Sequence, residues 1–108
     1  NRYFIDGVQQ KTLVVRAGQT YKFSYPSAHP FKFSTTANGT HAGGNEYTSG
    51  VTVGTNEITI IMPNSSSVTS LYYYCSAHSG MGGTIIIEGQ TASSGGGGGL
   101  SEGGGSGY

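Results

Sequence analysis

Thr20-Tyr21-Lys22-Phe23-Ser24-Tyr25-Pro26 sets an aromatic ring at every second position until Pro26 ends the run. Successive side chains of a strand point to opposite faces, so Tyr21, Phe23 and Tyr25 share one face and Thr20, Lys22 and Ser24 the other. The same period recurs along the chain. Phe31 and Phe33 flank an outward Lys32, Ile58, Ile60 and Met62 alternate with Glu57, Thr59 and Ile61 up to Pro63, and Leu71, Tyr73 and Cys75 fall on one face. Tyr3-Phe4-Ile5 leads into an Asp6-Gly7 turn, and Leu13-Val14-Val15 precedes a turn at Ala17-Gly18-Gln19. Ile85-Ile86-Ile87 is an apolar run that suits a strand buried on both sides. Residues 36–45 read as a long polar loop and residues 64–67 as a polar connection. A helical period never holds for more than a turn. Six or seven short strands with turn signals between them predict an all-β domain, a β-sandwich.

The 108 residues fit one domain, and five Lys+Arg balance five Asp+Glu, so the chain has no basic surplus to neutralise phosphates or an anionic membrane. No nucleic-acid partner is expected, and no apolar run approaches the length of a membrane span. Cys75 is the single cysteine and cannot form an intrachain disulfide. Asn1 as the first residue suits a mature form or a segment of a longer protein, and with it an extracytoplasmic setting: secreted, cell-surface or in a virion. Ten of the 20 glycines lie in residues 89–108, where Ser is the main companion. Residues 1–88 are therefore read as the domain. Residues 89–108 are read as a Gly/Ser-rich linker, or as a tail that contacts other subunits or domains of an assembly.

The chemistry concentrates in Tyr74-Cys75-Ser76-Ala77-His78-Ser79-Gly80-Met81-Gly82-Gly83, read with His29 upstream. Thiolate and imidazole are strong donors to copper, and a thioether is a weak donor suited to a long axial bond. Cys75, His78 and Met81 supply all three types within one seven-residue loop, which Gly80, Gly82 and Gly83 allow to fold tightly. His29 lies just beyond the strand that Pro26 ends, where it can close the set as a second imidazole.

On these residues the chain resembles the cupredoxins, the blue-copper family. Residues 13–23 look like the family's opening strand, turn and strand. Residues 70–75 resemble the strand that ends at the ligand cysteine, and residues 83–87 the closing strand. The Cys-x2-His-x2-Met spacing is similar to the short ligand loop of the amicyanins. The resemblance implies a Greek-key β-sandwich of cupredoxin type and one type 1 copper ion held by His29, Cys75, His78 and Met81. It also implies electron transfer with a redox protein partner. His-Pro-Phe at 29–31 and Cys-Ser-Ala-His-Ser-Gly-Met-Gly-Gly at 75–83 are also similar to cupredoxin-like domains of marine bacterial and phage structural proteins. That likeness implies a structural module of a virion or extracellular filament, with the metal site as a staple or relic. One position departs from the family. In many electron-transfer members Asn follows the first ligand His and sends a backbone amide to the thiolate, whereas here Pro30 has no N–H to give.

Other readings stand beside these. Cys75 alone would be an ordinary buried thiol, and its place before His78 and Met81 is what turns it into a candidate ligand. Zinc is the competing metal, since Cys and His suit it and Met does not. His41 is read as a solvated or loop-bracing residue and Met62 as core. In Tyr72-Tyr73-Tyr74, alternation turns Tyr73 inward with Cys75, and Tyr72 and Tyr74 to the opposite face. The acceptor patterns at Asn38 and Asn64 are expected by chance in a chain rich in Ser and Thr. No enzyme activity is expected, because four protein ligands leave no open coordination position and no acid–base or nucleophile–base pair stands elsewhere.

Overall fold

The computed structural model describes residues 1–90, so the linker or assembly-contact reading of residues 91–108 lies outside the described residues. The elements run β1 (Phe4–Ile5), β2 (Val8–Gln9), β3 (Leu13–Arg16), β4 (Thr20–Ser24), β5 (Phe31–Ser34), a 3-10 turn (Gly39–Ala42), β6 (Val51–Gly54), β7 (Glu57–Ile61), β8 (Ser70–Cys75) and β9 (Gly83–Glu88). They build a sandwich of a four-stranded sheet, β3-β9-β8-β5, and a three-stranded sheet, β4-β7-β6, with β1 and β2 as a small hairpin beside them. β3 pairs with β9 in parallel, and every other strand pair is antiparallel.

The period-two strands fill the space between the sheets. Phe31, Phe33, Leu71, Tyr73, Cys75, Ile85 and Ile87 come from one sheet and Ile58 and Ile60 from the other, with Met62 beyond the end of β7 in the same core cluster. Phe23 bridges the layers, stacked on Phe31 at 4.9 Å between centroids and edge-on to Phe33 at 5.9 Å. Aromatic contacts of this kind add to the burial of large side chains and so compensate for the modest number of aliphatic ones.

The structure adds to the sequence reading at two places and changes it at one. Val51–Gly54, unassigned from sequence, forms β6, which pairs with β7 across a short turn where Asn56 takes φ +55. Ile85-Ile86-Ile87 is not buried on both faces. Ile85 and Ile87 point into the core, while Ile86 is 40% exposed beside Val14 on the outer face, which no described element covers. Tyr74, on the face opposite Tyr73, is nonetheless buried, because the 3-10 turn in the long loop folds over it. A Cβ on Gly39 would fall 2.5 Å from the Tyr74 ring, so only glycine lets the loop pack that closely. The phenols of Tyr73 and Tyr74 are held above the ordinary tyrosine pKa, chiefly by desolvation.

Candidate metal centre

Strand register brings His29 to Cys75 across 46 residues of sequence. Phe31 is the partner of Cys75 in the β5–β8 ladder. The pairing continues one step past the strands, where Ser76 N–H donates to the Pro30 carbonyl at 3.1 Å. His29 precedes Pro30, and a turn closed by its N–H on the Pro26 carbonyl (2.9 Å) sets it at the rim of the sandwich. Cys75, at the end of β8 with its side chain on the inner face, is fully buried. His78 is exposed on the loop that follows.

The three side chains converge. Cys75 Sγ lies 3.9 Å from His29 Nδ1 and 3.7 Å from His78 Nδ1, and the two ring nitrogens are 3.2 Å apart. Among the described residues, this is the one group of three or more His, Cys, Asp or Glu side chains placed to hold a metal ion. A thiolate bonded at about 2.3 Å and an imidazole at about 2.0 Å to one ion stand roughly 3.5–3.8 Å apart for angles between tetrahedral and trigonal planar, and two such imidazoles roughly 3.3–3.6 Å apart. The spacings of the three atoms come within about 0.1 Å of those ranges, so the donor set fits a single ion with little movement. It is one sulfur and two nitrogens, the chemistry that suits copper or zinc.

Met81 is buried in the same core cluster as Cys75. The structure thus brings together three of the four residues expected as ligands; the fourth, Met81, is buried in the core cluster that also holds Cys75. His41 stands apart from the group. Its Nε2 lies 2.7 Å from the Cys75 carbonyl oxygen, so it braces the loop against the end of β8.

The loop from Cys75 to Gly83 is tied on two sides by residues whose contact with it no local pattern shows. Asn38, at φ +64, accepts from Gly80 N–H through Oδ1 (2.9 Å) and donates through Nδ2 to Ser79 Oγ (2.8 Å). On the other side, Tyr3 N–H donates to the Met81 carbonyl at 3.0 Å, and Gln10 Nε2 donates to the carbonyls of Gly80 and Gly82. Gly82 passes so close to β8 that a Cβ there would overlap the Tyr73 carbonyl, which fixes it as glycine. The Asn38-Gly39 pair marks a turn in the sequence, but Tyr3 and Gln10 look like strand and turn residues, and nothing local shows that they meet the loop.

Tyr3 also reaches the first histidine. Its hydroxyl donates to the His29 carbonyl, and its ring packs 5.1 Å from Phe31 and 6.2 Å from Tyr73. Burial raises the Tyr3 phenol pKa well above the ordinary value, and the neighbouring Cys75 raises it further. Tyr3 is therefore a neutral hydrogen-bond donor across the working pH range.

No protein-family model, curated protein or solved structure matches this chain. Function is accordingly read from the site.

Proposed function

We propose that this domain is a mononuclear type 1 copper protein of the electron-transfer kind, an extracytoplasmic module of a larger assembly that works without catalysing a reaction of its own. The observation that carries the reading is the meeting of Cys75 Sγ, His29 Nδ1 and His78 Nδ1 within 3.9 Å of one another, at the mouth of a β-sandwich. His29, Cys75 and His78 would hold the ion, and Met81 would supply the weak fourth donor that separates a copper site from a zinc site. Bound copper supplies a one-electron couple. The sandwich supplies rigidity: the ladder fixes Cys75, the Pro30–Ser76 bond fixes His29 against it, and the ties on the loop fix His78 and Met81. His78 is exposed, which gives a redox partner a route to the site. The strand order β3-β9-β8-β5 with β3 parallel to β9 supports the Greek-key arrangement of the cupredoxins.

Pro30 favours a second reading, in which the site is a structural staple of a virion or filament module. The position after His29 offers no N–H to the sulfur, and its carbonyl is engaged by Ser76.

Titration of the full chain with Cu(II), followed by visible absorption, tests the main reading. The expected result is a thiolate-to-copper band that saturates at one equivalent, is abolished by Cys75→Ser, and is retained but retuned by Met81→Leu. A chain that stays colourless while zinc raises its melting temperature would replace copper by zinc. Indifference to both metals would remove the metal reading.

A further inference from the structure

Beyond His78 the ligand loop takes its backbone partners from a distant part of the chain. The carbonyls of Gly80 and Gly82 both accept from Gln10 Nε2, at 3.1 and 2.8 Å, and the Met81 carbonyl between them accepts from Tyr3 N–H at 3.0 Å. Three consecutive carbonyls are thus held by the segment that runs from Tyr3 through the β1–β2 hairpin to Gln10. Gln10 N–H donates in turn to the Tyr3 carbonyl at 2.7 Å, which closes the hairpin on itself. A side-chain amide carries two N–H donors and can serve two carbonyls at once, whereas an ionised carboxylate of the same length only accepts.

The backbone at Gln10 is unusual as well. It takes φ +48, in the left-handed region that non-glycine residues other than Asn, Asp and His rarely enter. Such strain persists where the surroundings over-determine it, and it collects at functional sites. Glycine would adopt this conformation at lower cost but would bring no amide to the loop.

We propose that Gln10 is a positioning residue of the metal centre: its amide fixes the Gly80-Met81-Gly82 segment, and through it the placement of the Met81 thioether relative to the His29, Cys75 and His78 donors. This rests on the reading of Met81 as the fourth donor. Groups that orient metal ligands in this way change affinity about 10–100-fold when removed, without touching the ion.

The test compares Cu(II) affinity, the visible band and the reduction potential of the full chain for wild type, Gln10→Gly and Gln10→Glu, each with Met81 and in the Met81→Leu background. Gln10→Gly removes the strain together with the amide, so backbone destabilisation does not confound the result. Both Gln10 variants are expected to bind one equivalent of Cu(II) about 10–100-fold more weakly than wild type, with a shifted potential. In the Met81→Leu background the Gln10 substitutions should no longer move the potential, a dependence that a merely structural role would not produce. Wild-type affinity and potential in Gln10→Gly, or a shift undiminished by Met81→Leu, would overturn the proposal. A wild type without the copper band would remove the metal reading and this inference together, whereas a normal wild-type band with unaltered variants would remove this inference alone.

Discussion

Replacing Tyr3 by Phe deletes one oxygen atom and leaves the ring in place. The ring keeps its contacts with Phe31 and Tyr73, because neither involves the hydroxyl, and the backbone bond to the Met81 carbonyl remains. What disappears is the donation to the His29 carbonyl, together with the hydroxyl's contact with the Cys75 side chain. A hydrogen bond of this kind contributes about 0.5–1.5 kcal/mol net, and a carbonyl stranded without water costs about 1–3 kcal/mol. His29 is only partly buried, so solvent recovers some of that cost, and the expected loss is about 1–2 kcal/mol. For a domain of roughly 60–100 residues each kcal/mol moves Tm by about 4–8 °C, so Tyr3→Phe should melt roughly 5–15 °C below wild type. Near-UV circular dichroism of the metal-free protein during heating reads this directly. Tyr3→Ala provides the scale, since loss of a buried aromatic ring costs about 3–5 kcal/mol. If Tyr3→Phe melted within a degree or two of wild type while Tyr3→Ala fell steeply, Tyr3 would act by packing alone and its tie to His29 would carry no weight.

Gly82→Ala should lower stability by more than the roughly 1–3 kcal/mol usual for overpacking, since the clash is with the backbone of β8 and not with a movable side chain; urea unfolding measures it, and a loss below about 0.5 kcal/mol would contradict the close approach. The alkaline limb of stability should be set by Tyr3, Tyr73 and Tyr74, whose phenols are raised above the ordinary pKa of about 10 by burial. The folded state keeps these protons after the unfolded chain has lost them. Their contribution is therefore complete below about pH 10 and falls above it, by up to about 1.4 kcal/mol per pH unit for each phenol. Urea unfolding between pH 8 and 11.5 should show that decline, and a flat profile would contradict the burial of the rings.

The period-two rows were legible because each of these strands turns one row of apolar side chains into the space between the sheets: Tyr21 and Phe23, Phe31 and Phe33, Ile58 and Ile60, and Leu71, Tyr73 and Cys75 all lie where alternation puts them. Ile86 shows the limit of that rule. Three isoleucines in a row cannot say whether a second layer covers the outer face, and for β9 none of the described elements does. β6 was hidden because Val51-Thr52-Val53-Gly54 offers two apolar side chains in Gly- and Thr-rich company, and its pairing with β7 is decided by the turn at Asn56. At the site, Cys75 and His78 advertised themselves by spacing, and His29 by its place after a broken strand. Tyr3, Gln10 and Asn38 did not, because their roles depend on long-range contacts, 26 residues to His29 for Tyr3, 70 and 72 residues to Gly80 and Gly82 for Gln10, and 42 residues to Gly80 for Asn38. No local pattern encodes contacts of that range.

Metal analysis of the native protein, purified from its source without added metal or chelator, bears most directly on the central claim. About one copper ion per chain is expected, lost together with the thiolate band when Cys75 is replaced by Ser. Protein that carries zinc in that stoichiometry, or no metal at all, would contradict it.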